Sequence, residues 1–173
     1  MKKLTFLIAI FLLPALAMAQ TANIDNLMKK YGGQEGVTVV NISPQLFQVM
    51  SELDVKEFSG QDFPLDKLSA VKIITIENAA LLKGTNFYKE VTADLDLARF
   101  AEIMTVKDGA EDVRMWMNNE GKQIREFLLL VSSPDEGVVV YISGDFNMKD
   151  IGGLAQSFNG MEGLEALENM KNN

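Results

Sequence analysis

Apolar residues recur at helical spacing near the start of the chain. One predicted helical face holds four of them: Ile24, Leu27, Met28 and Tyr31. They fall at i, i+3, i+4 and i+7, which is the spacing of one face of an α-helix. Gly32 and Gly33 predict the end of this helix because glycine is a weak helix former. The following segment, EGVTVVNIS, is rich in β-branched residues and predicts a strand.

Ser43 and Pro44 predict the start of a second helix, because a hydroxyl cap followed by proline is typical of helix N-termini. Its apolar stripe consists of Leu46, Phe47, Met50 and Leu53. The segment LDKLSAVKIITIEN then passes through a helical turn into a second strand. Its alternation predicts one face with Val71 and Ile73 and an opposite face with Lys72, Ile74 and Ile76.

The longest predicted helix follows a break at residues 84–86. Its apolar face holds Phe87, Val91, Leu95 and Ala98. The side chains predicted to lie around that face in solvent are Lys89, Glu90, Asp94 and Asp96.

The hydrophobic pattern changes period after residue 100. Short apolar alternations are separated by Asp108-Gly109, by Asn119-Glu120-Gly121 and by residues 133–137, and these separators are typical of hairpin turns. Four strands are predicted near residues 101–107, 111–118, 122–132 and 138–143, paired as an antiparallel meander. FLLLV and VVVYI lack strict alternation, so we expect the middle of the sheet to be buried on both faces.

These elements predict an α+β fold. We expect a mixed, largely antiparallel sheet with a C-terminal four-strand meander and with helices packed on one face. Residues 20–159 are predicted to form a single domain. Residues 160–173 form an acidic tail that is either a short helix or disordered, because Gly160 and Gly163 interrupt its helical pattern.

The first 19 residues have the pattern of a cleaved secretory signal peptide. Lys2 and Lys3 precede the apolar stretch LTFLIAIFLL, which is too short to anchor a mature protein in a bilayer. Small residues at 17 and 19 predict cleavage between Ala19 and Gln20, and no cysteine follows that could be lipidated. We therefore expect a periplasmic or secreted protein that is not a lipoprotein and has no transmembrane segment after cleavage.

Composition excludes several kinds of chemistry. Removal of 19 residues from 173 leaves 154, with 14 basic against 24 acidic residues and a charge of about −10. Such a charge makes nucleic acid an unfavourable partner. The chain has no histidine and no cysteine, which removes the usual zinc, copper and iron ligands and the Ser-His-Asp and Cys-His mechanisms. We expect no cofactor and no metal.

The segment VVVYISGDFNMKDIGGL places polar residues at a predicted strand-to-helix corner. Asn147 is predicted to cap the helix and Asp150 to occupy its third position. With Asp145 also at the corner and only Lys149 to offset it, a phosphate is disfavoured. The spacing does not fit a calcium loop either, because lysine occupies the fifth position and Gln156 the twelfth. Structural capping is the prediction, and a divalent cation or small ligand is the alternative.

The single tryptophan lies two residues after an arginine. Arg114 and Trp116 are therefore expected on one face of a strand. Such a pair forms either an exposed recognition patch or, as we expect, a tryptophan that is half buried at a sheet edge or under a helix.

The order of these features resembles the exported bacterial domain-of-unknown-function family 4252, of the Bacteroidota type. The resemblance is carried by the signal peptide, by TANIDNLMKKYGGQEGVTVVNISPQLF and by LLLVSSPDEGVVVYISGDFNMKDIGGLAQSF. It covers essentially the whole chain after the signal, in patterns of apolar residues and turns. The resemblance implies no activity and no active-site residues. It implies a setting beside extracytoplasmic-function sigma-factor systems, in envelope stress or regulation.

Two classes of function remain. We predict a non-catalytic binding or interaction module of the cell envelope, whose partner is an envelope protein or a second copy meeting an edge strand or a poorly covered face of the sheet. The candidate binding residues are Arg114, Trp116, Asp145, Asn147 and Asp150. The alternative is a carboxylate-dependent enzyme acting on an envelope glycan. Its candidate carboxylates are Glu111, Asp112, Asp145 and Asp150, and two of them would have to lie roughly 5 to 10 Å apart in one pocket.

Overall fold

A computed structural model describes residues 24–52, 67–93, 95–147 and 150 of the chain. Four helices lie in these ranges: α1 (residues 24–31), α2 (Pro44–Glu52), α3 (Ala79–Leu82) and α4 (Phe87–Thr92). A 3-10 turn, Leu97–Arg99, follows α4. The predicted signal peptide and the predicted acidic tail lie outside the described residues.

Six strands form one sheet. They are β1 (Val37–Ile42), β2 (Leu68–Ile76), β3 (Ala101–Asp108), β4 (Glu111–Glu120), β5 (Gln123–Ser132) and β6 (Gly137–Phe146). Their order across the sheet is β1-β2-β6-β5-β4-β3. The protein is therefore α+β, with an antiparallel sheet and a few short helices. Gly109 and Gly121, with φ of 58° and 63°, lie in the two tight turns that flank β4.

The expected mixed sheet is wrong for the described strands, because every neighbouring pair among them is antiparallel. The connection through α3 and α4 brings the chain back to the end of the sheet at which β2 begins, so β2 and β3 run in the same direction. These two strands are not neighbours, since β6, β5 and β4 lie between them. A parallel direction therefore occurs without a parallel pair.

The sheet is buried on both faces, as the continuous apolar runs of β5 and β6 predict. One face, which we call the α1 face, includes Ile74, Ile76, Trp116, Leu128, Leu130, Val139 and Tyr141, packed with residues of α1, α3 and α4. The other, the α2 face, includes Val71, Ile73, Val113, Met115, Phe127, Leu129, Val131, Val138, Val140 and Ile142, packed with Phe47 of α2. The predicted faces of β2 are confirmed. Helices are not confined to one face, because Phe47 anchors α2 on the side opposite α1.

The predicted long helix after residue 86 is wrong in its length. Phe87 and Val91 are buried as expected, but α4 ends at Thr92. The Thr92 hydroxyl donates to the Tyr88 carbonyl, and the next backbone bonds, from Leu95 N–H to Thr92 and from Leu97 N–H to Leu95, are those of turns. Thr92 and Asp96 have weak helix propensity, and together with the need to enter β3 they end the helix before its apolar spacing does.

Candidate functional site

Trp116 lies inside the protein and not in an exposed patch. Its position on β4 directs the ring to the α1 face, where only 3% of the residue is exposed. The Tyr88 ring of α4 lies beside it, with 6.2 Å between the ring centroids. The reading of Trp116 as an exposed recognition patch is thus wrong, because α4 covers this position of the strand. The ring is more buried than the half-buried tryptophan that we expected.

Arg114 lies next to Trp116 on the same face, and its guanidinium is held from several sides. It donates to both carboxylate oxygens of Asp112, at 2.8 and 3.1 Å. It also donates to the Tyr88 hydroxyl at 3.3 Å, lies 4.4 Å from the centroid of that ring and lies 3.5 Å from Glu102 of β3. The arginine therefore ties β4 to α4 and to β3.

The contact between Arg114 and Asp112 changes the titration of both groups. Hydrogen bonds from Arg114 hold the pKa of Asp112 below its usual value of 3.8, and the nearby Lys107 acts in the same direction. The same hydrogen bonds raise the pKa of Arg114. The carboxylate of Asp112 is consequently stabilised in its charged form, which favours an ion pair over general acid catalysis.

At the strand-to-helix corner, the Asp150 carboxylate serves the backbone. Its Oδ2 accepts the Asn147 N–H at 2.7 Å, and the Asp150 N–H donates to the Asn147 carbonyl at 3.0 Å. The first contact is the one that a capping box makes with a side chain at the third helical position, and the second is a backbone bond between residues three apart, as in a turn. Asp150 is buried, and Lys67 Nζ lies 3.9 Å from its Oδ2.

Asp145 lies near the same end of the sheet but pairs elsewhere. Its carboxylate lies 3.3 Å from Arg125, which also donates to Glu120 at 3.0 and 3.2 Å. Asp145 and its arginine are both substantially exposed, so this ion pair contributes little stability. The structure thus separates the five candidates into Arg114 with Trp116 on the α1 face and Asp145, Asn147 and Asp150 at the end of β6.

Sequence reasoning missed a buried polar cluster around Glu126. This residue is 9% exposed, and its carboxylate accepts the Tyr141 hydroxyl at 2.9 Å and the Asn118 amide at 2.7 Å. Arg99 lies 3.3 Å away and donates to the same Oε2. The cluster joins three strands and the 3-10 turn, and each of its contacts satisfies a donor on the α1 face. The available signal was a lone acidic residue before the apolar run FLLLV.

Polar contacts also hold both ends of α1, one to the sheet and the other to α4. Lys72 of β2 is buried and donates to Asp25 at 2.5 Å. At the other end of α1, the Tyr31 hydroxyl donates to Glu90 of α4 at 3.0 Å, and Lys30 Nζ lies 2.6 Å from the same carboxylate. Burial raises the pKa of Tyr31, and the hydrogen bond to Glu90 raises the pKa of Lys30.

The outer edge of β1 has no strand beside it among the described residues. The Glu77 N–H donates to the Gly36 carbonyl at 2.8 Å, which makes residues 36 and 77 a hydrogen-bonded pair. Alternation along the strand then turns the N–H and C=O groups of Val39 and Asn41 away from β2. No described strand pairs with this side of β1.

A charge-free segment contains this edge. No Asp, Glu, Lys or Arg lies between Glu35 and Glu52, although 23% of the chain is charged. The segment comprises β1 and nearly all of α2. Two of its large apolar side chains, Leu46 and Val49, are 46% and 49% exposed on α2. We refer to residues 36–51 as the β1–α2 segment.

The opposite edge, β3, has the features by which sheets resist pairing. Its register with β4 shifts between Glu102 and Met104, which is a bulge at Ile103. Glu102, Lys107 and Asp108 place charges along it. Bulges and charged side chains on an edge strand oppose the addition of another strand. Only the β1 edge is both unbulged and uncharged among the described strands.

Other features of the described chain offer little chemistry. A shallow pocket of about 470 Å³ is lined by Ala79, Ala80, Leu82, Lys83, Gly84 and Pro134, and Lys83 is its one charged side chain. Within the described ranges no three acidic residues come together as a metal site would require. No described helix has the length and apolar character needed to cross a membrane.

The chain matches a protein-family model. The family model described as "Domain of unknown function (DUF4252)" matches residues 31–154. The matched region begins at the last residue of α1 and contains all six strands. No curated protein and no solved structure matches the chain.

Proposed function

The chain belongs to the DUF4252 family, and we propose that it is a non-catalytic binding module of the bacterial cell envelope. In this proposal a signal peptide exports the chain and is removed after Ala19, and the mature protein acts in the periplasm or outside the cell. The basic residues, short apolar stretch and small-residue cleavage site of residues 1–19 support export. The setting that we propose, in envelope stress or sigma-factor regulation, is what the resemblance of the sequence to this family implies.

The arrangement of carboxylates supports a binding function over catalysis. Asp112 lies opposite Ser132 and Asp145 lies next to Phe146, which pairs with the far end of β5. At the usual rise per residue, roughly 25 Å of sheet separates these two carboxylates. A glycan hydrolase needs its two carboxyl groups roughly 5 to 10 Å apart. Asp112 is paired with Arg114, and Asp150 accepts a backbone N–H, so neither is poised as a free acid or base.

The observation that carries the proposal is the open edge of β1. Its outward N–H and C=O groups can form main-chain hydrogen bonds with an added strand, which is a recurrent mode of peptide and protein recognition. The β1–α2 segment offers this edge without a charge or a bulge, whereas β3 offers both. We therefore assign binding to the β1 edge.

A matched pair of edge variants tests this assignment. Thr38 of β1 and Thr105 of β3 are both exposed threonines on opposite edges of the sheet. Affinity-tagged chains of residues 20–173, as wild type, Thr38→Lys and Thr105→Lys, are incubated with envelope extract of the native bacterium, and the captured proteins are quantified by mass spectrometry. We expect Thr38→Lys to reduce capture of specific proteins by tenfold or more and Thr105→Lys to leave it unchanged. Equal capture by all three chains contradicts the proposal.

Export has a separate test. The full chain is expressed in the native bacterium, and the N-terminus of the accumulated protein is sequenced. We expect it to begin at Gln20 and to be recovered in the periplasmic or extracellular fraction. An intact Met1 in the cytoplasmic fraction contradicts export and leaves the assignment of the β1 edge to be judged by the capture experiment.

A further inference from the structure

We infer that the partner of the β1 edge is a second copy of this chain, paired strand to strand as a symmetric dimer. This inference rests on the proposed binding function and names its occupant. In the dimer, two β1 strands run antiparallel about a two-fold axis perpendicular to the sheet, and the two six-stranded sheets become one continuous sheet.

The geometry of β1 supports self-pairing. Its register with β2 is regular from Val37 to Ile42, so the outward donors and acceptors of Val39 and Asn41 follow an even spacing. An antiparallel copy of the same strand presents the matching spacing and can pair with them. The side chains brought opposite one another are β-branched residues and one asparagine. Such cross-strand pairs are favourable and include no like charges.

Charge supports a second copy over a charged partner. The chain carries a net charge of −8, so two copies repel one another wherever their carboxylates meet. The β1–α2 segment is the place where they can approach without that cost, since it contains no charged residue. A basic or acidic peptide would form no ion pair with the side chains of this segment. A second copy of β1 is itself uncharged, so it forgoes no ion pair by binding here.

Two exposed side chains of α2 provide a second, independent observation. A two-fold axis perpendicular to the sheet keeps each face on the same side, so the two α2 helices lie on the same face of the joined sheet, one on either side of the seam. Leu46 and Val49 are three residues apart and share one side of α2. Leu46 and Val49 are 46% and 49% exposed, and in the dimer we expect the second α2 to cover part of this apolar surface.

The absence of cysteine makes a direct test possible, because one introduced thiol is the only thiol in the chain. Thr38→Cys and Thr105→Cys are prepared in the chain of residues 20–173 and treated with a short bismaleimide. Circular dichroism verifies that both variants retain the fold. We expect covalent dimers from Thr38→Cys at least tenfold in excess over those from Thr105→Cys. Equal yields, or dimers only from Thr105→Cys, overturn the inference.

Light scattering after size exclusion measures the equilibrium from about 10 μM to about 1 mM, the range in which an interface of modest area associates. We expect the wild type to reach the dimer mass and Thr38→Lys to remain a monomer at least tenfold higher in concentration, with Thr105→Lys as the matched control. A wild type that stays monomeric throughout overturns the inference. If that monomer still captures an envelope protein through Thr38, the proposed function stands with a different occupant. If it captures nothing, both fail.

Discussion

The hydroxyl of Tyr141 donates to Oε1 of Glu126 over 2.9 Å and thereby links β6 to β5 on the α1 face. The other oxygen, Oε2, accepts from Asn118 and Arg99. The carboxylate therefore satisfies three donors, which only a group with acceptors on both oxygens can do.

We expect Glu126→Gln to destabilise the fold by roughly 1 to 3 kcal/mol, because the amide places an NH2 group against one set of donors and leaves buried groups unsatisfied. Urea unfolding followed by tryptophan fluorescence measures the loss. Glu120→Gln is the matched control, since Glu120 is 79% exposed and contacts Arg125 at the surface; we expect a change within about 0.5 kcal/mol. Equal effects of the two substitutions contradict a structural role for the Glu126 cluster.

Because Asp112 is paired with Arg114, we expect the free energy of unfolding to fall in acid. The pKa of Asp112 is lowered in the folded protein from 3.8. The contribution of this group to the free energy of unfolding is therefore present at pH values above its unfolded pKa and is lost as the pH falls through its folded pKa. We expect Asp112→Asn to lower the free energy of unfolding by about 1 kcal/mol near neutral pH. The difference from wild type should shrink below about pH 4. A difference that stays constant down to about pH 2 contradicts this assignment.

Because Tyr31 is buried, we expect the free energy of unfolding to fall in alkali. Burial is the main cause that raises its pKa above 10.0, and the hydroxyl donates to Glu90 while Lys30 lies beside it. Because the folded pKa is raised, the contribution of Tyr31 to the free energy of unfolding is fully present at pH values below its unfolded pKa. It is lost as the pH rises through its folded pKa. We expect wild type to be more stable than Tyr31→Phe near pH 8, by about 1 kcal/mol, with the advantage shrinking as pH rises above about 10. Thermal unfolding of both chains across this range measures it. An advantage that persists unchanged near pH 11 contradicts the prediction.

Substitution of the two corner aspartates separates capping from cation binding. We expect Asp150→Ala to cost about 1 kcal/mol, because the Asn147 N–H loses its acceptor, and Asp145→Ala to cost less than about 0.5 kcal/mol. Thermal unfolding is repeated with added calcium chloride, and we expect no shift. A rise in the melting temperature with calcium that both substitutions abolish would establish the alternative, a divalent cation at the corner.

The strands and their faces were predictable because the alternation of apolar residues within each strand depends only on its own sequence. Val71 and Ile73 alternate with Ile74 and Ile76, and the structure assigns them to opposite faces as predicted. The neighbour of β2 was not predictable, since pairing with β6 depends on how the chain returns through α3 and α4. The spacing of apolar residues also overestimated the length of α4. That spacing indicates which residues are buried, and it does not indicate where the backbone leaves the helix.

The polar contacts were less predictable than the fold. The partner of Asp150 lies three residues away, so its sequence spacing reveals a cap. Glu126 instead finds Tyr141 15 residues away and Arg99 27 residues away, and only the register brings them together. The openness of the β1 edge likewise depends on which strands lie beside it, which a strand's own sequence does not determine.

The position of β2 between β1 and β6 constrains the order of folding. The strand that completes the hydrogen bonding of β2 is the last of the six to be synthesised. As the chain emerges from a ribosome or a translocation channel, the β1–β2 ladder can form early, but β2 has no partner on its other side until β6 arrives. Such late, long-range pairing slows folding and exposes incomplete sheets to aggregation. Cells that make this protein in quantity should therefore depend on a holding chaperone during its emergence.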